Sequence, residues 1–275
     1  MEHRLPGTVT PSRYDIRLEP DLEAATFTGE ETVTVAVTAP LAELELNAVE
    51  LAIQAAGIRG RDGVAVEARV TLDAVAERAR LTFPTRLDPG EWHLTLHFTG
   101  TLNDQLHGFY RSTYKDAAGT SHLIAATQFE AVDARRAFPC WDEPAFKAVF
   151  ALTLVVPDGF AAVSNTAVVE ERPAGPGRRA VRFADTIRMY TYLVAFVVGE
   201  LEATAPTLVG RTPLSVWSVP GKRHLAHFAQ AAGAFCLRFF EEYYGLAYPS
   251  DKLDLLGIPD FASGAMENLG AITFR

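Results

Sequence analysis

Two stretches concentrate side chains able to do chemistry. The first runs Thr127-Gln128-Phe129-Glu130-Ala131-Val132-Asp133-Ala134-Arg135-Arg136-Ala137-Phe138-Pro139-Cys140-Trp141-Asp142-Glu143-Pro144, and the second is Gly264-Ala265-Met266-Glu267-Asn268-Leu269-Gly270. In the first, acids and arginines alternate with Phe129, Phe138 and Trp141, which predicts a loop packed on a core and not a solvated tail. Such a loop can serve as a structural corner, its arginines paired with Asp133, Asp142 and Glu143 and its prolines fixing the turn. Read by itself, the second stretch is a hairpin turn in which Asn268 or Gly270 supplies a positive φ. Metal chemistry asks for closely spaced ligands, and here the histidines disappoint. None of His3, His93, His97, His107, His122, His224 and His227 is followed by Glu, so no His-Glu-x-x-His pair exists. His93 and His97 share a strand face and His224 and His227 lie one turn apart on a helix, but neither pair has a third ligand or a placed base nearby. Both read as surface or interface histidines.

The elements that must carry these stretches change character along the chain. Phe27, Gly29, Glu31, Val33, Val35 and Val37 keep a period of two, and Trp92, Leu94, Leu96 and Phe98 repeat it against His93, Thr95 and His97. Leu152 to Val156 and Leu193 to Val198 are continuous β-rich runs, as in strands covered on both faces. Asp88-Pro89-Gly90, Pro157-Asp158-Gly159 and Pro173-Ala174-Gly175-Pro176-Gly177 punctuate them. The fold class is therefore mainly β: an all-β sandwich or saddle domain over residues 1–201. From Pro220 to Tyr244 the apolar residues Leu225, Phe228, Ala229, Ala232, Phe235, Cys236, Phe239, Phe240 and Tyr243 fall at helical spacing, and Gly245 supplies the stop. A strand over Leu253 to Ile258, a loop over Pro259 to Asn268 and a strand from Ala271 to Arg275 complete a second, α/β unit over residues 202–275. This unit reads as the truncated start of a larger domain.

With 275 residues, 48% of them hydrophobic and 21% charged, the chain can bury an ordinary globular core. A formal net charge of −9 disfavours nucleic acid and anionic membranes as partners and suits a cationic ligand. No apolar run approaches a membrane span, and residues Met1 to Ala25 hold no apolar leader core, so the sequence predicts a cytoplasmic protein. Cys140 and Cys236 are expected as two buried thiols in a reducing compartment.

Taken in order along one chain, the two stretches resemble the N-terminal signatures of the aminopeptidase N family of zinc metallopeptidases. The first is similar to the family's Q-x-E/Q-A-x-D-A-R-x-x-F-P-C-x-D-E-P segment, and the second matches its GAMEN exopeptidase motif letter for letter. The resemblance implies an N-terminal β domain followed by the opening of a thermolysin-like catalytic domain. It assigns Glu267 the catalytic role of anchoring the substrate's free α-amine, with Glu130 as second carboxylate and Gln128 beside them. Buried carboxylates would grip an ammonium through charge-assisted hydrogen bonds, and their mutual repulsion would be relieved by it. It implies that Gly264, Ala265, Met266 and Asn268 complete the substrate-binding segment, that substrate adds to it as an extra strand, and that the peptide bond after Glu130 is cis.

Zinc is the cofactor the resemblance implies for the complete enzyme, with ligands, general base and oxyanion-stabilising tyrosine all expected beyond Arg275. The expected partners are peptides with a free N-terminus and the missing C-terminal part of the same enzyme. Alone, these 275 residues are expected to be inactive and to expose apolar surface on the long helix and last strand. Two other readings fit the same resemblance: a non-catalytic scaffold that keeps the shape, and a bifunctional epoxide hydrolase relative. Retention of Glu267, Glu130 and Gln128 argues against the first, and Ala265, where such hydrolases tend to carry Gly, against the second.

Overall fold

Alternating burial shapes the first part of the chain. Along Thr26–Val37, Phe27, Val33, Val35 and Val37 turn inward and are at most 3% exposed, while the intervening threonines are partly or fully exposed. The computed structural model describes residues 4–61 and 63–275. In it this strand lies within an eight-stranded sheet whose order is Val168–Pro173, Arg178–Phe183, Val149–Pro157, Val9–Asp21, Thr26–Val37, Gly90–Thr101, Leu51–Arg59 and Ala65–Glu67. Pairing is antiparallel except between Val9–Asp21 and Val149–Pro157. A three-stranded sheet (Leu41–Asn47, Arg78–Leu87, Arg69–Asp73) and a four-stranded one (Ala161–Ser164, Phe196–Gly199, Ser121–Gln128, Gly108–Lys115) accompany it. The main core includes Tyr14 stacked on Phe150, with Phe138 edge-on to both. The mainly β expectation holds: strands make up 53% of the chain and helix 10%.

The second unit is a separate sheet. Thr212–Ser218, Leu253–Gly257 and Ala271–Phe274 run parallel to one another, and the short strand Ala265–Met266 closes one edge antiparallel to Ala271–Phe274. Glu202–Ala203 and Thr207–Val209 pair with Thr212–Ser218. The helix spans His227–Tyr244, preceded by a single 3-10 turn at Arg223–Leu225, and ends where Gly245 takes φ 64°. Three expectations change here. The helix begins later than Pro220, because the chain first makes that tighter turn. The segment Pro259 to Asn268 is not all loop, since Ala265 and Met266 pair with Phe274 and Thr273. Cys236 is exposed and Cys140 alone is buried, because little packs over the outer side of the helix.

That helix packs only part of its apolar surface. Ala234 and Leu237 are buried against Leu214, Val216, Leu253 and Leu255. Phe228 remains 84% exposed and Phe235 66%, and Phe239 stacks between Phe235 and Tyr243 in the open.

The two units share an apolar cluster in which Tyr110, Ile124 and Val197 meet Leu256, Ile258, Phe261 and Met266. Their seam is completed by polar contacts. The Lys252 ammonium donates to the carbonyls of Ser164 (2.7 Å) and Gly270 (2.8 Å) and pairs with Asp254 (2.7 Å). Burial lowers the Lys252 pKa, an effect Asp254 partly offsets. Gly270 has φ 76°, and a Cβ there would overlap the Asn165 carbonyl oxygen. Gly270→Ala is therefore expected to cost about 2 kcal/mol or more in urea denaturation, whereas Gly264→Ala, with open space around it, stays within about 0.5 kcal/mol.

The inward face of Thr26–Val37 also carries Glu31, fully buried with neither carboxyl oxygen hydrogen-bonded. Burial alone holds its pKa well above the usual carboxylate range. Folding thus raises this pKa. The stability Glu31 permits is full below the unfolded value of about 4.3 and falls by up to about 1.4 kcal/mol per pH unit as pH climbs from there toward the folded value. Glu31→Gln should gain on wild type steadily from pH 4 to pH 7 in chemical denaturation; parallel stability curves would show that Glu31 does not titrate on unfolding.

Candidate functional site

Phe129 organises the first half of the site. It is 1% exposed, set edge-on to Phe138 and Phe196 at ring distances of 6.0 Å. In a strand successive side chains alternate; beyond the strand's end the chain turns at Glu130, whose side chain is exposed. Gln128 ends the strand Ser121–Gln128, is 7% exposed, and its Oε1 has no hydrogen-bond partner. An orphaned acceptor of this kind is what a donor on a ligand or water would satisfy. The Glu130–Ala131 peptide bond is cis, as expected.

The corner expected of this segment forms in part: its arginines pair with Asp133 and Asp142, but not with Glu143, which lies 4.0 Å from Arg4. Arg135 meets Asp142 (3.0 Å) and Glu77 (2.9 Å), and Arg136 meets Asp133 (2.7 Å) and Glu50 (2.6 Å). Asp142 also accepts from the Thr191 hydroxyl at 2.6 Å, and Glu143 from the Leu5 amide at 2.6 Å. Burial raises the Asp142 pKa, against the pull of Thr191 and Arg135. Among the described residues Glu130 makes no ion pair, so it is the one acid of the segment left without a cation.

The second half rests on the shared core. Phe261 (3% exposed) and Met266 (1%) pin the segment from below, and Asp260 is tied to the strand Gly108–Lys115: its carboxylate accepts from the Thr113 amide (2.9 Å) and Ser112 hydroxyl (3.2 Å), its carbonyl from the Tyr110 hydroxyl (2.9 Å). Burial then alternates, with Met266 and Asn268 inward and Ala265 and Glu267 outward. Met266 and Asn268, expected among the substrate-facing residues, lie beneath the surface, the latter's amide contacting Thr273 Oγ1 at 3.4 Å. Ala265 is exposed on the outermost strand of the sheet and Gly264 just before it, and among the described residues no strand pairs with the far edge.

The two halves converge. Glu130 and Glu267 both lie close enough to the Tyr192 hydroxyl to raise its pKa, after burial and Tyr190, while Lys147 lowers it. Neither carboxylate is buried, contrary to expectation, because nothing in the described residues covers them; neither makes an ion pair among those residues. Tyr192 itself went unread in the sequence, where Tyr192 to Val198 passes for one buried run. The structure instead makes a 3-10 turn at Thr191–Leu193 and only then the strand Phe196–Gly199, leaving Tyr192 half-buried and stacked on Tyr190 at 5.3 Å. The Lys147 ammonium sits 4.2 Å above the Tyr190 ring.

No group of three or more His, Cys, Asp or Glu side chains among the described residues could hold a metal. The residues present do not fit a zinc centre. They do offer two exposed carboxylates without an ion pair among the described residues, a buried amide oxygen without a hydrogen-bond partner, and the outermost strand of a sheet.

Residues 10–193 match the Peptidase M1 N-terminal domain, and residues 228–275 match the Peptidase family M1 domain. The chain is 46% identical over 99% of its length to Aminopeptidase M1-B of Oryza sativa subsp. japonica, covering 31% of that protein. It is 39% identical over 99% of its length to Puromycin-sensitive aminopeptidase of Caenorhabditis elegans, covering 29% of it, and 36% identical over 98% to Aminopeptidase N of Acetobacter pasteurianus, covering 75%. It thus spans about a third of the length of most curated relatives named here. The chain belongs to the peptidase M1 family.

Proposed function

We propose that this chain forms the substrate-anchoring part of a zinc-dependent aminopeptidase, gripping the free α-ammonium of a peptide between Glu267 and Glu130. The observation that carries this reading is that both carboxylates, without an ion pair among the described residues, lie within electrostatic reach of the Tyr192 hydroxyl, while every other acid of the 127–144 segment is occupied. An ammonium would donate to both carboxylates and to Gln128 Oε1, and the substrate backbone would continue along the open edge of Ala265–Met266. Such a site measures one residue from the amino end, since an internal peptide bond offers no charge for Glu267 to bind. The names of the relatives, all aminopeptidases, support the same reaction. We further propose that the exposed aromatic face of the helix is covered by the remainder of a peptidase M1 domain. Beside that face, Ala229, Cys236 and Phe240 of the helix meet Trp217, Ile272 and Phe274 around an apolar groove of about 870 Å³. Zinc, where the family uses it, would be held by residues outside these 275.

Two measurements test the proposal. Titrating the chain with leucinamide, followed by amide NMR shifts, should perturb residues around Ala131 and Glu267; N-acetyl-leucinamide, lacking the charge, should not. Glu130→Gln and Glu267→Gln should each weaken binding about tenfold or more, and affinity should fall about tenfold per pH unit above the amine pKa of about 7.7–8.0. Equal binding of the acetylated compound would sink the amine anchor. Second, the pure 275-residue chain should release no leucine from leucine p-nitroanilide with or without added zinc, because no three His, Cys, Asp or Glu side chains among the described residues are grouped to hold the ion that would activate a water; zinc-dependent release would overturn this.

A further inference from the structure

We infer that Asn165 is a positioning residue for the amine site, fixing the Glu267 loop relative to the Gln128–Glu130 turn; the inference rests on the reading of that site given above. A side-chain amide carries one acceptor oxygen and two donor hydrogens, and Asn165, 2% exposed, spends them all on joining its own stretch to two others, 193–195 and the loop at Leu269. Its Nδ2 donates to the Leu193 carbonyl (2.8 Å), in the turn that bears Tyr192, and to the Leu269 carbonyl (2.8 Å), two residues beyond Glu267. Its Oδ1 accepts from the Ala195 amide (2.9 Å).

From Ala195 the connection to the other half of the site is short. The next amide, Phe196, donates to Thr127 Oγ1 (3.0 Å), and Thr127 is followed directly by Gln128. The strands Phe196–Gly199 and Ser121–Gln128 are themselves paired, Ala126 opposite Val197. One buried amide therefore links the Glu267 loop through Ala195 and Thr127 to the residue carrying the orphaned acceptor. Neither Glu130 nor Glu267 holds the other in place, since like charges repel. Their separation has to be set from below, and Asn165 sits where the three segments meet. Lys252 pins the neighbouring positions, Ser164 and Gly270, but reaches neither Leu193 nor Ala195.

The test uses the whole 275-residue chain and reads two quantities. Hydrogen exchange at Met266 and Ala271, measured without ligand, should accelerate about tenfold or more in Asn165→Ala. It should stay near wild type in Thr204→Val, a control that removes another buried hydrogen bond, to the Val216 amide at 3.0 Å, when the two are compared at denaturant giving equal global stability. Leucinamide affinity should fall about tenfold or more in Asn165→Ala, as in Glu267→Gln, and remain at wild type in Thr204→Val. If Glu267→Gln abolishes binding while Asn165→Ala binds and exchanges like wild type, the positioning role is wrong and the amine reading stands. If wild type ignores leucinamide, the amine reading fails, and with it Asn165's role in an amine site. Should Asn165→Ala fail to fold, the wild-type Asn165 side-chain amide protons decide: slow exchange with cross-peaks to Leu269 supports the link, and rapid exchange overturns it.

Discussion

Glu130 and Glu267 are carried by different sheets, and the seam between those sheets is what makes one site of them. An apolar cluster shared by Tyr110, Ile124, Val197, Leu256 and Met266 brings the units together, but apolar contact is tolerant of sliding. Direction comes from Asn165 and Lys252, which between them reach the carbonyls of Ser164, Leu193, Leu269 and Gly270. Buried polar groups of this kind are costly unless every partner is in place. A slipped register would leave a charged ammonium and an amide unsatisfied at once, so the seam admits one arrangement.

The site above the seam follows a rule of exclusion. Arginines 135 and 136 pair with Asp142, Asp133, Glu77 and Glu50, bracing an acid-rich segment into a corner. What remains is the charge the corner does not use. Phe129 anchors the end of that segment, its ring edge-on to Phe138 and Phe196 in the core.

Much of this was legible in the sequence. Period-two patterning marked the sheet strands, helical spacing marked His227–Tyr244, and the two charged stretches were found because their residue types are unusual together. Other parts were illegible for physical reasons. Tyr192 lay hidden because a 3-10 turn followed by a buried strand reads as one apolar run, with no breaker residue between. The exposure of Cys236 depends on what does not pack against the helix, and an amphipathic pattern says only which face is apolar. Asn165 and Lys252 are single polar residues of common type; their importance arises from partners far along the chain, which no local pattern encodes.

The seam's two side chains address main-chain oxygens and not side chains. Carbonyls are present whatever residue occupies a position, so the bonds to Ser164, Leu193 and Leu269 do not themselves specify the side chains there. Freedom is withheld elsewhere: at Gly270, where backbone presses on backbone, and at the two residues doing the reaching. The fold thereby confines its sequence constraint to three positions and leaves the walls around the site open to variation, a division of labour that lets pocket chemistry diverge while its frame stays put.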